Sequence, residues 1–113
     1  MTSDLFAGIP VSDYRAAADW YERLLGAPPS FLPNESEAVW EVGEHQYVYI
    51  VIGADEAGHA VHLLFVSDLD TRLAAIAERG LRPTDVEAYD NGTRKVVFRD
   101  PDGNSFGFGG APE

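Results

Sequence analysis

Apolar residues recur along the chain with two different spacings, one typical of β-strands and one typical of α-helices. Short apolar runs and strict alternation predict four β-strands in the first half, at residues 5–11, 30–32, 37–42 and 46–52. The segment after the first strand carries apolar side chains at every third or fourth position, namely Tyr14, Ala17, Trp20, Tyr21, Leu24 and Leu25. This spacing predicts an amphipathic helix, with Ser12 as its N-cap, Asp13 in its first turn and Gly26 at its end.

The same order of elements recurs in the second half. Strands are predicted there at residues 60–66, 85–89, 93–99 and 105–109. A Val-Ser-Asp tripeptide again precedes a helix, which is predicted at residues 68–79 with Ser67 as its cap. Asn91-Gly92 predicts a tight hairpin between two of the strands. The β-α-β-β-β order therefore occurs twice, and since one such unit leaves an apolar sheet face unburied, the two are expected to pack together.

The length of the chain suits a single domain. Its 113 residues predict one domain spanning residues 1–113, with one module at about 4–53, a hinge at 53–59 and a second module at about 59–110. The absence of cysteine excludes disulfides, thiolate metal sites and a cysteine nucleophile. No apolar run approaches the roughly 18 residues of a membrane span, and no secretory signal is visible. We therefore expect a soluble, cytoplasmic protein with no membrane partner.

The charge is strongly acidic and uneven. The chain has 8 basic and 19 acidic side chains, of which residues 1–57 carry only 2 basic but 10 acidic groups. Such a charge repels a phosphate backbone, so we expect no nucleic-acid partner. It would attract a cationic small molecule, although solvation of the surface explains it equally well.

Three stretches carry a resemblance to a known superfamily. They are GIPVSDYRAAADWYERLLG at 8–26, VSDLDTRLAAIAERG at 66–80 and VVFRDPDGNSFGF at 96–108. Together with the strands between them they resemble the vicinal oxygen chelate superfamily, which includes glyoxalase I, extradiol dioxygenases and the bleomycin-resistance proteins. The resemblance implies an α+β fold in which two tandem βαβββ modules form a curved mixed sheet around a pocket, often completed by a homodimer partner.

The resemblance also indicates at which positions the ligands of a metal site would lie. Enzymes of this superfamily usually hold a divalent ion with histidine and carboxylate side chains from the first and fourth strands of each module. The corresponding positions here hold Phe6, Tyr49 (or Tyr47, if the register differs by one pleat), Val61 and Gly107. A divalent ion needs at least three converging nitrogen or oxygen donors, and these side chains offer at most a phenol. We therefore expect no metal ion and no other cofactor.

The three histidines do not replace the missing ligands. His62 follows Val61 in its strand, and successive residues face opposite sides of a sheet. If Val61 faces the pocket, His62 faces the helices unless a β-bulge turns it back. His45 in a turn and His59 in the hinge are expected in solvent.

Aromatic and small side chains at the former metal positions predict an apolar pocket for a small molecule. Its expected lining is Phe6, Tyr47, Tyr49, Val61 and Gly107, with packing of the sheets as the alternative role of the two tyrosines. Trp40 is a further candidate: facing inward it would stack on a flat ligand, and facing the other way it would pack the core. Glu41 at the mouth would favour a cationic ligand, or is simply solvated.

Signals of other chemistry are weak. No serine lies in a Gly-x-Ser-x-Gly sequence, and no pair of carboxylates stands out as an acid–base couple, so no catalytic residue is assigned. Asp100, Asp102 and Asn104 have the spacing of the start of a calcium loop but lack its later glutamate, which favours a turn.

These observations favour a binding protein over an enzyme. The first hypothesis is metal-independent binding of a hydrophobic or aromatic small molecule, with drug sequestration of the bleomycin-resistance type as its nearest example. The alternative is a glyoxalase- or dioxygenase-like enzyme (a lyase, isomerase or oxygenase) with an unrecognised metal site or metal-free acid–base chemistry. A third hypothesis is a collapsed pocket in a protein that acts through protein contacts. Open sheet edges and apolar helix flanks predict a homodimer.

Overall fold

The computed structural model describes residues 2–112, which form two consecutive βαβββ modules. The first module contains β1 (Leu5–Val11), α1 (Tyr14–Leu25), β2 (Phe31–Asn34), β3 (Glu37–Gly43) and β4 (Gln46–Ile52). The second contains β5 (Val61–Phe65), α2 (Leu69–Glu78), β6 (Asp85–Ala88), β7 (Arg94–Arg99) and β8 (Ser105–Gly110). The predicted α+β fold of two βαβββ units is confirmed. No helix among the described residues is long and apolar enough to cross a membrane.

Each module forms its own four-stranded mixed sheet. The strand orders are β1-β4-β3-β2 and β5-β8-β7-β6. In each sheet the first strand pairs in parallel with the last, and the remaining pairs are antiparallel. The first strands, β1 and β5, are therefore edge strands, and they meet at the junction of the two modules.

The helix sides of the two sheets share one hydrophobic core. Alternation along each strand sends every second residue toward the helices, and the largest buried side chains are Trp40, Tyr21, Phe98, Phe106, Phe108, Ile9 and Leu24. The core crosses the junction, because Tyr21 of α1 lies edge-on to Phe106 of β8, with ring centroids 6.2 Å apart. Because the helices cover only one face of each sheet, the opposite face of each sheet is open.

The helix caps differ from the prediction. Asp13, rather than Ser12, is the N-cap of α1, and its carboxylate accepts a hydrogen bond from the amide of Ala16. Ser12 instead donates its amide and its hydroxyl to Asp102 in the second module. Ser67 likewise precedes the N-cap position of α2, which is Asp68 and makes no side-chain capping bond. Gly26 ends α1 in a left-handed conformation, as predicted.

Side chains of the second module bind the free edge of β1. The imidazole Nε2 of His62 lies 2.9 Å from the Gly8 carbonyl oxygen. Two residues further on, the amide nitrogen of Asn104 donates to the carbonyl of Pro10 at 2.9 Å. These bonds satisfy edge carbonyls that would otherwise have no strand partner. The Asp-Pro-Asp-Gly-Asn turn is thus confirmed as a turn and also holds the modules together.

Candidate functional site

The open side of the first sheet carries a cluster of aromatic rings. Phe6 of β1 and Tyr47 of β4 are direct neighbours in the sheet, and their rings stack 4.5 Å apart at an interplanar angle of 9°. The register continues with Gly8 beside Tyr49, so both tyrosines face the same side as Phe6. Phe6 is 46% exposed. We call this surface the aromatic face and define it as Phe6, Gly8, Tyr47 and Tyr49.

Tyr49 lies across β1 rather than standing away from the sheet. A Cβ atom at Gly8 would be 2.8 Å from the Tyr49 hydroxyl oxygen and 2.9 Å from the ring carbon that bears it. Only glycine at this position leaves room for the ring. The Tyr49 phenol therefore forms part of the floor of the aromatic face.

One carboxylate borders the aromatic face. Glu41 of β3 is the sheet neighbour of Tyr47, and the Tyr47 hydroxyl donates to it over 3.3 Å. Partial desolvation, together with the negative charges of Glu41 and Asp4, raises the pKa of the Tyr47 phenol. Tyr47 is consequently a neutral hydrogen-bond donor at neutral pH and is unsuited to act as a base. Glu41 supplies the negative charge that would favour a cationic ligand group.

The open side of the second sheet has the reverse arrangement of large and small residues. Val61, Leu63 and Phe65 of β5 form a row that we call the β5 ridge. Val61 is 74% and Phe65 66% exposed. In β8, Gly107 lies beside Leu63 and Gly109 beside Phe65, and a Cβ atom at Gly107 would be 3.1 Å from the Leu63 side chain. At Gly8 and Tyr49 of the first module the small residue lies on the first strand and the large one on the last.

Trp40 lies on the other side of the first sheet from the aromatic face. It is 2% exposed, its ring nitrogen donates to the carbonyl of Ala27, and its ring lies 6.2 Å from that of Tyr21. A ligand on the open side cannot stack on a ring in this position, so the inward-facing alternative for Trp40 is wrong. The adjacent Glu41 was the available signal: a charged residue on the open side sends its neighbour into the core.

The positions of the former metal ligands do not fit a divalent ion. Phe6, Tyr49, Val61 and Gly107 all lie on open sheet faces, but none has a carboxylate or imidazole group. β5 pairs with β8 without a bulge, so His62 points to the helix side, as the alternation predicts. Within residues 2–112 no three histidine, aspartate or glutamate side chains converge on a common point.

Two features of the site were missed by the sequence reasoning. Leu63 and Phe65 extend the row that begins at Val61, and the alternation in strand β5 carried that signal. A surface cleft of about 350 Å³ also lies at the module junction, between β1 and the hinge. His59 and His62 line it together with Asp55 and Glu56, and His59 is exposed, as predicted.

Comparisons with known proteins agree with this architecture. A family model described as a glyoxalase-like domain matches residues 6–108. A solved glyoxalase/bleomycin resistance protein from Catenulispora Acidiphila DSM 44928 is 48% identical, covers 98% of this chain and 100% of its own, and superposes with a TM-score of 0.95. Among curated protein sequences none matches the chain at a significant level.

Two more distant structures share the fold. A bleomycin-binding protein complexed with bleomycin is 20% identical, with a TM-score of 0.76 and coverage of 99% of this chain and 100% of its own. A lactoylglutathione lyase from Agrobacterium tumefaciens is 17% identical, with a TM-score of 0.77 and coverage of 97% and 94%. At these identities the likeness concerns the fold alone.

Proposed function

Since the chain belongs to the glyoxalase-like family, whose scaffold carries both binding proteins and enzymes, we propose that it is a cytoplasmic protein that binds an aromatic small molecule without a metal ion. The observation that carries the proposal is the aromatic face. It offers stacked rings and a phenol floor at the positions where a metal-binding relative would hold ligands. The residues present there can hold a flat apolar molecule and cannot hold an ion.

The stacked rings of the aromatic face indicate which class of ligand it would bind, namely a planar aromatic molecule. Phe6 and Tyr47 are already parallel, so a planar ring laid against Phe6 would extend the stack. Each aromatic pair contributes about 0.5–1.5 kcal/mol beyond the area that it buries. The Tyr47 hydroxyl and Glu41 favour a ligand whose ring system carries a basic group near that edge.

A second copy of the chain would complete the pocket. The aromatic face and the β5 ridge are both open in one chain, and an exposed apolar surface of this kind usually marks an interface. A two-fold pairing would place the aromatic face of each copy against the second sheet of the other, giving two equivalent pockets. The ligand would then be enclosed between two sheets.

Charge supports this pairing. Glu37 and Glu41 of β3 are on the aromatic side of the first sheet, as their pairing with β4 indicates. Lys95 and Arg99 of β7 share the open side of the second sheet, next to acidic residues of the edge strand β6. Acidic residues of one copy would therefore meet basic residues of the other, which favours a fixed orientation.

Drug sequestration is the nearest biological role. A bleomycin-binding protein shares the fold, and capture requires only a pocket. The lyase that shares the fold is named for an enzyme activity. Among residues 2–112, however, no group of three histidine, aspartate or glutamate side chains could hold a metal ion, and Glu41, the carboxylate that borders the aromatic face, accepts a hydrogen bond from Tyr47. The geometry therefore favours capture over catalysis.

Thermal unfolding with bleomycin and a set of planar aromatic antibiotics tests the proposal. A ligand that binds only the folded protein stabilises it by about 2.7 kcal/mol at one hundred times its dissociation constant, which raises the melting temperature by several degrees. Tyr49→Leu should remove most of this shift. Tyr89→Leu is the matched control, since Tyr89 is an exposed tyrosine next to the β6–β7 hairpin.

Two results would contradict the proposed function. If the ligand raises the melting temperature equally in wild type, Tyr49→Leu and Tyr89→Leu, the ligand does not bind at the aromatic face. Elemental analysis provides the second criterion. If the purified protein contains near-stoichiometric metal, and chelation removes both the metal and an enzyme activity, the protein is a metalloenzyme and not a metal-free binding protein.

A further inference from the structure

A second cleft lies between the two modules on the helix side of the sheets. Its volume is about 210 Å³. Its apolar wall comes from both modules and consists of Leu5, Ala7, Val42, Val48, Leu63, Leu64 and Phe106. Gln46, Tyr47 and His62 are the residues with polar groups in the lining. We call this space the junction cleft.

The hydrogen bond of His62 determines what the junction cleft can recognise. Its Nε2 lies 2.9 Å from the carbonyl oxygen of Gly8, and a carbonyl only accepts, so Nε2 carries the proton. In the neutral ring Nδ1 is then an acceptor. No hydrogen bond to Nδ1 is found among residues 2–112, and since none of their buried polar side-chain atoms lacks a partner, Nδ1 is accessible to solvent. Phe106, whose ring lies 6.4 Å away at 70°, holds the imidazole in this orientation.

We propose that the junction cleft binds a single aromatic ring that carries a hydroxyl group, that is, a phenol. An apolar cavity of about 150 Å³ is sufficient for benzene, so 210 Å³ holds one ring with a substituent. The ring lies among Val48, Leu64 and Phe106, and its hydroxyl donates to Nδ1 of His62. The phenol hydroxyl takes the place of solvent at this acceptor.

This site goes beyond the proposed function and does not depend on it. Its wall residues all belong to one chain, so no second copy is needed. The first-strand residues of the cleft, Leu5 and Ala7, face the opposite side of the first sheet from the Phe6 and Tyr49 rings. A ligand on the aromatic face and a phenol in the junction cleft therefore share Tyr47 as a border residue but contact opposite faces of β1.

Titration of the ¹⁵N-labelled full chain with phenol, followed by amide chemical shifts, tests the site. Saturable shifts should centre on Ala7, His62 and Leu64, with a dissociation constant of about 1 mM, which is reasonable for a ligand of few atoms. Toluene has a similar shape without the hydroxyl and should bind at least about fivefold more weakly, because it displaces solvent from the imidazole without replacing the hydrogen bond. Ala7→Leu should weaken phenol binding at least about tenfold by filling the cleft.

Ala88→Leu is the matched control, because Ala88 is an exposed strand residue of β6, remote from the cleft. It should bind phenol as wild type does. The proposal is wrong if phenol gives no saturable shifts, if the shifts centre on Phe6 and Tyr49, or if toluene binds wild type as well as phenol does. The comparison of phenol with toluene uses only wild-type protein, so it decides the question even if Ala7→Leu folds poorly.

Discussion

The Tyr49 ring occupies the space that a side chain at Gly8 would need. A Cβ atom there would be 2.8 Å from the Tyr49 hydroxyl oxygen, closer than van der Waals contact permits. The two residues are direct neighbours in adjacent strands. The shape of the aromatic face therefore depends on this glycine.

We expect Gly8→Ala to weaken ligand binding at the aromatic face by about tenfold, with little loss of stability. The new methyl group meets the far end of a side chain that can rotate, so the ring moves and the backbone does not. Thermal shifts with a ligand found for wild type measure the first effect, and urea unfolding measures the second.

Gly53→Ala is the control for Gly8→Ala. A Cβ atom there meets only Pro10 at an ordinary distance of 3.5 Å, so ligand binding should remain as in wild type. Unchanged binding in Gly8→Ala would show that the ligand does not use the floor formed by Tyr49.

Leu63→Glu should convert the proposed homodimer to a monomer. Leu63 lies at the centre of the β5 ridge and is half exposed in one chain, and a buried, unpaired carboxylate at an interface costs several kcal/mol. Light scattering should give about twice the chain mass of 12.3 kDa for wild type and the single chain mass for the variant.

Leu32→Glu tests whether the dimer effect is specific. Leu32 is 60% exposed on the edge strand β2, away from the β5 ridge, and its change should leave the dimer intact. A monomeric wild type at micromolar concentration, or dissociation by both variants alike, contradicts the arrangement.

Alternation and turn chemistry made much of the fold predictable. All eight strands and both helices were expected within one or two residues, because apolar spacing and glycine positions report local structure directly. The resemblance to the vicinal oxygen chelate superfamily singled out Phe6, Tyr47 and Tyr49, and alternation within one strand places the two tyrosines on one face. Ser12 was misread because its partner, Asp102, lies 90 residues away, and no local pattern reports a contact of that range. The junction cleft was invisible for the same reason.

Arg79 should stabilise the contact between the two helices. Its guanidinium donates to the backbone carbonyls of Arg23 and Leu24 at the end of α1, where a positive charge also favours the helix dipole. Arg79→Ala should lower the free energy of unfolding by about 1–2 kcal/mol, and Arg79→Lys should recover only part of it, since lysine lacks the planar fork.

Arg82→Ala is the control, because Arg82 is exposed beyond the end of α2. Urea unfolding should show no more than about 0.5 kcal/mol of change for it. If both alanine variants lose the same free energy of unfolding, the effect comes from the loss of a positive charge in general and not from capping of α1 by Arg79.

The buried pair of Tyr21 and Asp100 should make stability fall at alkaline pH. The Tyr21 hydroxyl donates to the Asp100 carboxylate over 2.8 Å, and burial, followed by the charge of Asp100, raises the pKa of the Tyr21 phenol. The folded protein therefore keeps this proton above pH 10, where the unfolded chain loses it. The contribution of Tyr21 is complete below about pH 10 and then declines by about 1.4 kcal/mol per pH unit.

Tyr21→Phe isolates this contribution. The variant leaves a buried carboxylate without one donor, so it should lose about 1–3 kcal/mol near neutral pH. Since phenylalanine does not titrate, the gap between wild type and variant should narrow as the pH rises above about 10, by about 1.4 kcal/mol per unit. Urea unfolding of both proteins from about pH 8 to 11 measures the gap, in which the titrations of all other groups cancel. A gap that stays constant across this range would mean that the Tyr21 phenol ionises equally readily in the folded and unfolded chains, despite its burial against Asp100.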